Sequence, residues 1–481
     1  MLFNSAAFLF LYLPIVLAGT FVLARVRPRW TIAWLGLASF AFYADWNWRF
    51  LALLLASIAF NGWVGGRIAA TRPARTWLVI GVAGDLLVLG VFKYANFIVG
   101  SVAAFGGFAA PHLGIVLPLG ISFFTFTQIA FLVDAWRGEI EAHPRADSYA
   151  LFVSYFPHLI AGPILHHGEM IPQFERKGAF RFDWENIAVG LTIFAIGLFK
   201  KVVIADGIAP LVKPAFDAAA AGQAVGAGAA WLGALAFALQ LYFDFSGYSD
   251  MAIGLSRLIG VQLPLNFNSP YQATSAVDFW RRWHMTLSRF LRDYLYFPLG
   301  GNRLGPRRRY LNLMIVMLLG GLWHGAGWTY VIWGGLHGLY LVANHLWRGA
   351  FGADRMPAAL ARALTFLAVL VAWVPFRAAD LGTALHLWSA MLGRGTPGET
   401  AITFADGIML AVVLAIAWFA PNTQEIMARF RPGLDTERIA PARWPWRPNL
   451  ATALIACGVL ASSLYFVLFT HRVSEFLYFQ F

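Results

Sequence analysis

Residues 311–342 read LNLMIVMLLGGLWHGAGWTYVIWGGLHGLYLV, which is 32 residues without one Asp, Glu, Lys or Arg. About 20 helical residues cross the hydrocarbon of a bilayer, so this run is too long for one crossing. The part before His324, 311–323, would reach only about 20 Å, short of the roughly 30 Å required. Glycines at 320, 321, 325, 327, 334 and 335 weaken a continuous helix. We therefore predict that the helix breaks near Trp323-His324-Gly325, within a membrane.

The whole chain has the composition of a membrane protein. Hydrophobic residues make up 59% of the 481 and charged residues 12%, against about 25% charged in soluble domains. The 20 Trp and 42 Phe fit aromatic belts at membrane interfaces. The one cysteine, Cys457, excludes an intramolecular disulfide. With no internal repeat and no low-complexity linker, residues 1–481 are predicted to form a single all-α, polytopic membrane domain.

Further apolar stretches recur along the chain and are candidate membrane spans. They are 2–24, 30–44, 49–66, 77–99, 115–136, 186–205, 227–255, 360–376, 403–421 and 450–470. We predict roughly ten to twelve spans in total. Residues 146–168 are also apolar, but Pro157, Gly162 and Pro163 interrupt them and basic residues flank both sides. That pattern predicts a re-entrant segment, whose irregular backbone must be satisfied by protein or by a cavity.

The net charge of +12 has two interpretations. Most of it follows from the Lys and Arg excess of cytoplasmic loops, and a smaller part serves an anionic substrate. Basic clusters lie at 25–29, 67–75 and 429–447, and both termini face outward if all three clusters are cytoplasmic. Because the positive charge is scattered between apolar spans, nucleic acid is not predicted as a partner.

His324 is the sharpest candidate for chemistry. An ionisable side chain within a bilayer is costly, and it is by default a functional-site hypothesis. Burial disfavours the imidazolium, so the ring would be neutral and able to accept a proton. The alternative is a structural histidine that bonds a carbonyl at the helix break. For His337, 13 residues further on, the structural interpretation is favoured.

Residues 275–300, SAVDFWRRWHMTLSRFLRDYLYFPLG, read at 3.6 residues per turn as one amphipathic helix in the membrane surface. Asp278 and Arg282 stand at i and i+4, a spacing that allows an ion pair. Eight arginines fall within 281–309, and guanidinium groups suit phosphate because they bind it bidentately. Either a phosphate-bearing acyl donor such as a coenzyme A thioester docks there, or the arginines hold anionic membrane lipids. His284 lies among them, as a candidate for donor binding or catalysis.

Two carboxylates, Asp244 and Asp250, fall in the candidate span 227–255 and must be paired or protonated there. Such a carboxylate either orients a catalytic imidazole or ties packed helices together, and the second interpretation is favoured. The sequence contains no GxSxG, GxxxxGK[ST] or HExxH motif. Adjacent residues such as His166 and His167 rarely chelate together, so no metal site is predicted.

Five blocks of sequence resemble the membrane-bound O-acyltransferase family, and more narrowly its bacterial branch with the alginate O-acetyltransferase. They are 156–163 (FPHLIAGP), 241–254 (LYFDFSGYSDMAIG), 278–288 (DFWRRWHMTLS), 321–325 (GLWHG) and 476–481 (FLYFQF). A lone WHG is a weak signal, whereas five blocks in order are a specific one.

The resemblance implies a ring of membrane helices around a thinned centre, where a funnel and a tunnel meet at the family's characteristic histidine. That residue is His324 here, with His284 as the second family histidine, and both are expected to be catalytic. The expected substrate-binding residues are Arg281, Arg282, Trp283, Trp323, Asp244 and Ser288. The resemblance also implies acetyl-CoA as a cytoplasmic donor substrate, with no permanently bound cofactor. A polysaccharide hydroxyl is the implied acceptor, and a separate periplasmic acetyltransferase is an implied partner. The implied location is a bacterial inner membrane with both termini periplasmic.

Other functions remain open at this point. A transporter or channel also uses broken helices and polar residues at the membrane midplane, although no inverted-topology pairing of two halves is visible. Within acyl transfer, the alternatives are acylation of peptidoglycan, D-alanylation of teichoic acid and acylation of lysophospholipids. Release of free coenzyme A by purified protein separates the enzyme from the transporter.

Overall fold

The computed structural model describes residues 1–71, 75–111, 113–140, 143–352, 355–396, 403–470 and 476–477. Regular secondary structure in these ranges is helical, apart from an isolated bridge between Pro264 and Leu434. The family block at 476–481 is therefore described only at its first two residues, and the basic cluster at 67–75 only in part.

The α-helices before the central region are α1 (Leu13–Val26), α2 (Thr31–Ala70), α3 (Arg75–Leu89), α4 (Ala95–Gly106), α5 (Ile121–Arg137), α6 (Ala146–Ser154), α7 (Phe156–Leu159), α8 (His167–Glu175), α9 (Trp184–Phe199), α10 (Asp206–Ile208) and α11 (Lys213–Ala220). They are followed by α12 (Ala227–Leu258), α13 (Ala276–Arg282), α14 (Met285–Leu291), α15 (Gly305–His324), α16 (Trp328–Phe351), α17 (Ala358–Arg377), α18 (Leu381–Ser389), α19 (Phe404–Phe419), α20 (Thr423–Met427) and α21 (Leu450–Phe469). Wider π-helical turns occupy Phe8–Tyr12, Gly90–Tyr94, Lys200–Ala205, Arg292–Tyr296 and Ala390–Arg394, and 3₁₀ turns occupy Pro28–Trp30, Ala209–Leu211, Pro270–Gln272, Ala428–Phe430 and Thr436–Arg438.

Among the described residues, seven helical segments are long and apolar enough to cross a membrane, or eight if the bent pair Phe404–Phe419 and Thr423–Phe430 forms one crossing. The prediction of an all-helical, multi-pass protein is confirmed, whereas the count of ten to twelve spans is not. One reason is that the candidates 30–44 and 49–66 belong to the single helix α2. Another is that α5 begins only at Ile121 and has 17 residues.

The kink in α2 lies at Asn47, whose backbone leaves helical geometry at φ −161° and ψ 105°. The side-chain oxygen of Asn47 accepts a hydrogen bond from the backbone N–H of Arg49 at 3.1 Å. A short polar side chain thus replaces a carbonyl that the helix loses at this point. The polar sequence around the kink explains why the pattern predicted two helices here.

The core is organised around α12, which packs against α9 at two glycine pairs. A Cβ atom added to Gly190 would lie 2.8 Å from the carbonyl oxygen of Gly254, and one added to Gly197 would lie 2.7 Å from that of Gly247. Only glycine permits such an approach of two backbones, as in other membrane helix pairs. The contact brings the turn after α9 next to the acidic positions of α12.

Two lysines of that turn form ion pairs with three aspartates, two of which lie on α12. Lys201 lies 2.8 Å from Asp244 and 2.7 Å from Asp206, and all three side chains are buried. Lys200 lies 2.6 Å from Asp250, which also accepts hydrogen bonds from Thr423 and Gln424 of α20. Buried charges need such partners, because an unpaired carboxylate in an apolar environment is very costly.

The predicted helix break at 323–325 is confirmed. Helix α15 ends at His324, and α16 begins at Trp328, after three intervening residues. The two helices form a hairpin that closes at glycines, because a Cβ on Gly321 would lie 2.3 Å from the carbonyl oxygen of Tyr330 and one on Gly334 would lie 2.2 Å from that of Met317.

Replacing Gly334 with alanine is expected to destabilise the protein by about 1–3 kcal/mol, since the added methyl group forces α15 and α16 apart. The measurement is thermal unfolding of purified protein in detergent. Gly335→Ala is the matched control, because a Cβ there meets only a Leu318 methyl at 3.6 Å. Equal effects of the two substitutions would contradict the close crossing.

The segment 146–168 is interrupted, as its prolines and glycine predict. Helix α6 ends at Ser154, α7 is short, and the chain is irregular between Ile160 and His166. Its backbone is satisfied by protein, since Phe156 donates to Ser39 Oγ at 3.1 Å and Ile164 donates to Thr286 Oγ1 at 3.0 Å. This satisfies the requirement on irregular backbone at membrane depth. Its return to the same membrane face stays a prediction.

Candidate active site

His324, the last residue of α15, is buried inside a box of aromatic rings. Its imidazole centroid lies 4.9 Å from the ring of Trp333, 5.0 Å from Trp323 and 5.4 Å from Phe376, each roughly perpendicular. The helix break thus delivers an ionisable side chain into an environment that excludes bulk water. Such an environment strengthens electrostatic effects on a reacting group.

The carbonyl end of α15 is held by two residues of the turn Gly90–Tyr94. The Lys93 ammonium donates to the carbonyl oxygens of Trp323 and His324, the latter at 3.2 Å, and Tyr94 donates to that of Leu322 at 2.9 Å. A cation at a helix C-terminus is favourable because unsatisfied carbonyls give that end partial negative charge. Sequence reasoning missed this role, although a lysine inside the candidate span 77–99 was an available signal.

The prediction of one helix over 275–300 is wrong. Helix α13 ends at Arg282, α14 begins at Met285, and His284 between them has left-handed backbone geometry at φ 43° and ψ 55°. The backbone N–H of Met285 donates to the carbonyl of Asn266 at 2.9 Å, so the turn is anchored to a neighbouring loop. The amphipathic pattern continues across the turn, which is why periodicity alone predicted a continuous helix.

Asn266 also fixes the imidazole of His284. Its Oδ1 accepts hydrogen bonds from the hydroxyl of Thr286 at 2.9 Å and from the backbone N–H of Thr286 at 3.4 Å. Because a backbone N–H can only donate, this atom is an acceptor, and His284 Nδ1 at 3.0 Å must carry the proton. The other ring nitrogen, Nε2, therefore holds a lone pair.

The structure brings the two predicted histidines together. The ring centroids of His284 and His324 lie 6.3 Å apart, and both rings contact the indole of Trp323. Trp323 is itself stacked on Phe126 at 5.2 Å. Two imidazoles and an indole ring thus meet at one buried point, although the two histidines lie 40 residues apart in the chain.

Other predicted substrate-binding residues lie around this point in different roles. Trp283 is buried against Trp373 at 5.0 Å, and Ser288 donates its hydroxyl hydrogen to the Trp283 carbonyl at 3.4 Å. Asp244 is held by Lys201 and by the backbone N–H of Leu477 at 2.9 Å. Those contacts favour the interpretation in which Asp244 ties helices together over orientation of an imidazole.

The arginines of 281–309 do not form one cluster. Arg282 pairs with Asp278 at 2.9 Å, as the i,i+4 spacing allows, Arg289 pairs with Glu169, and Arg292 pairs with Asp293 at 2.7 Å. Arg281 is exposed and lines a cavity of about 730 Å³ between α13, α16 and α17. Of the two arginines predicted to bind donor phosphate, Arg282 is thus already engaged, whereas Arg281 faces open space.

His337 lies behind that cavity. Its Nδ1 accepts a hydrogen bond from the indole N–H of Trp280 at 3.2 Å, and its ring lies 4.8 Å from Trp333. Since Trp333 also contacts His324, one indole ring lies between the two imidazoles. The structural interpretation of His337 accounts for one of its ring nitrogens.

A second polar cluster surrounds Asp134. Tyr294 donates to Asp134 at 2.7 Å, and the Nδ1 atoms of His167 and His166 lie 3.4 Å and 3.8 Å from the same carboxylate. In the part of the chain that the structure describes, no group of three or more His, Cys, Asp or Glu is arranged to hold a metal.

Comparison with known proteins places this site in a family. The model of the membrane-bound O-acyltransferase family matches residues 113–377, which include both histidines. The chain is 44% identical to the peptidoglycan O-acetyltransferase of Helicobacter pylori, over 82% of this chain and 80% of the relative. It is 45% identical to the probable alginate O-acetylase of Pseudomonas aeruginosa, over 87% and 81%, and 42% identical to that of Pseudomonas putida over all of both chains.

The chain belongs to the membrane-bound O-acyltransferase family. The resemblance that five sequence blocks indicated is confirmed, and with it the class of enzyme and the multi-pass membrane character. The roles of individual residues remain predictions, and they enter the proposal below.

Proposed function

We propose that this protein transfers an acetyl group from acetyl-CoA to a hydroxyl of an extracytoplasmic polysaccharide. The observation that carries the proposal is the buried His284–His324 pair at the end of α15, inside the region that matches the family. The whole chain acts as one membrane domain, with acetyl-CoA as a substrate that binds and leaves rather than as a resident cofactor.

In the proposed reaction, His324 removes the proton from the acceptor hydroxyl while the oxygen attacks the thioester carbonyl. The C–O bond forms, the C–S bond breaks, and the proton passes from His324 to the departing thiolate. In an alternative, His324 attacks the thioester carbonyl first, and coenzyme A leaves as the thiol with the proton of the imidazole N–H. The acceptor hydroxyl then takes the acetyl group from the acetyl-imidazole and returns its proton to the ring. Lys93 and Tyr94 fix the helix end in both cases, so the ring keeps one position through the reaction.

The oxyanion that forms on the thioester carbonyl needs hydrogen-bond donors. The indole N–H of Trp323 and backbone N–H groups at the break after His324 are the proposed donors. His284 holds a lone pair on Nε2, so it is proposed to accept a hydrogen bond from substrate or from the second imidazole. The surrounding aromatic rings keep water away from the thioester and thereby limit its hydrolysis.

The acceptor is proposed from the relatives. Two of them are named as alginate O-acetylases and one as a peptidoglycan O-acetyltransferase, which favours a glycan hydroxyl over a lysophospholipid. An alginate-like polymer is the first candidate and peptidoglycan the second. We place the protein in a bacterial inner membrane with both termini periplasmic, the donor entering from the cytoplasm through a tunnel. A periplasmic acetyltransferase partner would receive the group through an outer funnel and complete the delivery.

The test is turnover by the full chain in lipid nanodiscs. Acetyl-CoA is added with mannuronate oligosaccharides or with peptidoglycan fragments, and free thiol and acetylated sugar are quantified. We expect thiol release that depends on an acceptor. The alternative function, a transporter, is tested in proteoliposomes. Transport of acetyl-CoA into the vesicle lumen without release of thiol would support that alternative and refute the proposal.

A further inference from the structure

Helix α17 runs from the cavity between α13, α16 and α17 to the reaction centre. Residues 358–369, in the first part of α17, contribute to the lining of that cavity. Near its other end the helix carries Phe376, whose ring lies 5.4 Å from His324, and it ends one residue later at Arg377. Arg377 is therefore next to the reaction centre, but at the opposite end of α17 from Arg281, the arginine predicted to bind the donor.

A proline fixes the last turn of α17. Pro375 has no backbone N–H, so the carbonyl of Val371 loses its partner within the helix. The indole N–H of Trp388, on α18, donates to that carbonyl at 3.1 Å instead. The end of α17 is thereby fastened to α18, and Phe376 and Arg377 are held beside the reaction centre.

Tyr330 covers the helix break next to Arg377. A Cβ atom on Gly325 would lie 2.2 Å from Cε2 of Tyr330, so this ring lies directly against the break that follows His324. The same ring packs on Phe376 at 5.2 Å. Arg377 is near enough for its charge to act on the Tyr330 hydroxyl. A ligand that approaches His324 from this end of α17 therefore meets a phenol ring and a guanidinium group.

Arg377 has no carboxylate partner in the described part of the chain, where the ion pairs of arginine involve other residues. Its guanidinium lies over the ring of Phe216 at 5.7 Å, and its side chain is partly exposed. Asp380, three residues further on, caps α18 instead, by accepting a hydrogen bond from the N–H of Thr383 at 2.7 Å. A helix C-terminus favours a cation, and a guanidinium without a carboxylate partner is open to an anionic ligand.

A carboxylate attached to a sugar ring suits this arrangement. Guanidinium binds carboxylate through two parallel hydrogen bonds, which fix the orientation of the ligand as well as its position. A single guanidinium balances the one charge of a carboxylate, whereas a phosphate monoester carries up to two. A neighbouring aromatic ring offers an apolar surface to the ligand. In a uronic acid the carboxylate and the hydroxyls belong to one unit, so an arginine that holds the carboxylate also places a hydroxyl.

We propose that Arg377 selects an acidic acceptor. Its guanidinium binds the carboxylate of a uronic acid unit beside the ring of Tyr330, and it thereby brings a hydroxyl of the same glycan toward His324. The inference rests on the proposed function, since it assumes a glycan acceptor, and it narrows that acceptor to one that carries carboxylates. An alginate-like polymer, the first candidate above, is built of such units.

The test compares two oligosaccharides that differ only in the carboxylate, a mannuronate oligomer and the mannose oligomer obtained by reducing its carboxyl groups. Equilibrium binding of each is measured with the purified full chain in nanodiscs, without acetyl-CoA. We expect the wild type to bind the acidic oligomer about tenfold or more tightly than the neutral one. Arg377→Gln is expected to abolish this preference by weakening only the acidic ligand. Arg377→Lys is expected to recover part of it, because the charge returns without the two parallel hydrogen bonds.

Arg394→Gln is the matched control, because it removes the next arginine along the chain, which is exposed and lies outside α17. It is expected to leave both affinities unchanged. In turnover, Arg377→Gln is expected to raise the KM for the acidic acceptor about tenfold, the same factor as in binding. Its binding of coenzyme A is expected to match that of the wild type.

Three results would overturn the inference. One is a wild type that binds the two oligomers equally, or binds neither. Another is an equal loss of both ligands in Arg377→Gln, which would show that the arginine only supports the fold. The third is an Arg377→Gln protein that binds and acetylates the acidic oligomer as the wild type does, yet fails to acetylate the polymer in cells. That result would assign Arg377 to an acidic surface of a partner protein.

Measuring binding without a donor separates this inference from the proposed function. If the wild type binds the acidic oligomer through Arg377 but acetylates no glycan, the acceptor site stands and the proposed transfer falls. If the acidic and neutral oligomers are acetylated at equal rates, in the wild type and in Arg377→Gln, the transfer stands and the selection of an acidic acceptor falls.

Discussion

Replacing His324 with alanine is expected to lower acetyl transfer by about 10²–10⁴-fold, the usual contribution of a positioned acid–base group. His324 carries the only titratable side chain in the last turn of α15. The backbone carbonyl of His324 already accepts a hydrogen bond from Lys93. The measurement is the rate of acceptor-dependent thiol release at saturating acetyl-CoA. Protein yield and melting temperature are expected to stay near those of the wild type, since alanine keeps the helix and its caps.

His386→Ala is the matched control, because this half-buried histidine lies on α18 and contacts the carbonyl of Ala219 at 3.3 Å. Near-normal turnover by His324→Ala would refute both proposed roles of His324, as a general base and as a nucleophile. The two roles are distinguished by acid quenching of the wild type with donor alone. Mass spectrometry that finds acetyl on His324 under that condition supports the nucleophile.

Replacing Lys201 with methionine is expected to destabilise the protein by about 3–5 kcal/mol, which is the usual cost of removing one partner from a buried ion pair. Lys201 lies between Asp206 and Asp244, so its loss leaves two buried carboxylates facing each other. The measurement is thermal unfolding together with the yield of monodisperse protein in detergent. Methionine keeps the length of the side chain, so the effect reports the charge.

Lys213→Met, which removes an exposed lysine of α11, is the control and is expected to change stability little. The triple variant Lys201→Met, Asp206→Asn, Asp244→Asn is expected to recover part of the lost stability, because it removes the unpaired charges as well. A Lys201→Met protein as stable as the wild type would show that the ion pairs contribute nothing to holding α12 in place.

The helix break at His324 was predictable because it follows from lengths: the uncharged run at 311–342 is too long for one crossing. The turn at His284 was not. Its left-handed backbone occurs at a residue that is not glycine and is fixed by Asn266, 18 residues earlier, so no local pattern marks it. A helical period survives an interruption of two residues, and for that reason the segment read as one helix.

Contacts between residues that are distant in the chain also could not be predicted from the sequence. The sequence showed that Asp244 must be paired or protonated, but its partner Lys201 is 43 positions away in chain order and becomes adjacent only through the glycine contacts of α9 and α12. Likewise, the sequence does not show which of Arg281 and Arg282 lines the cavity, because that depends on which guanidinium group pairs with Asp278. Candidate residues were thus visible from their chemical type, whereas their division into structural and open groups required the fold.

The hydrogen bond from Leu477 to Asp244 has a consequence for biogenesis. Phe476 and Leu477 follow α21 in the chain, yet Phe476 stacks on Tyr248 and packs against Phe245, which touches His284. The ribosome makes the chain from its N-terminus, so the proposed reaction centre stays incomplete until the segment after α21 has been made. A chain that terminates before residue 476 would therefore lack the contacts that Phe476 and Leu477 make with Tyr248, Phe245 and Asp244.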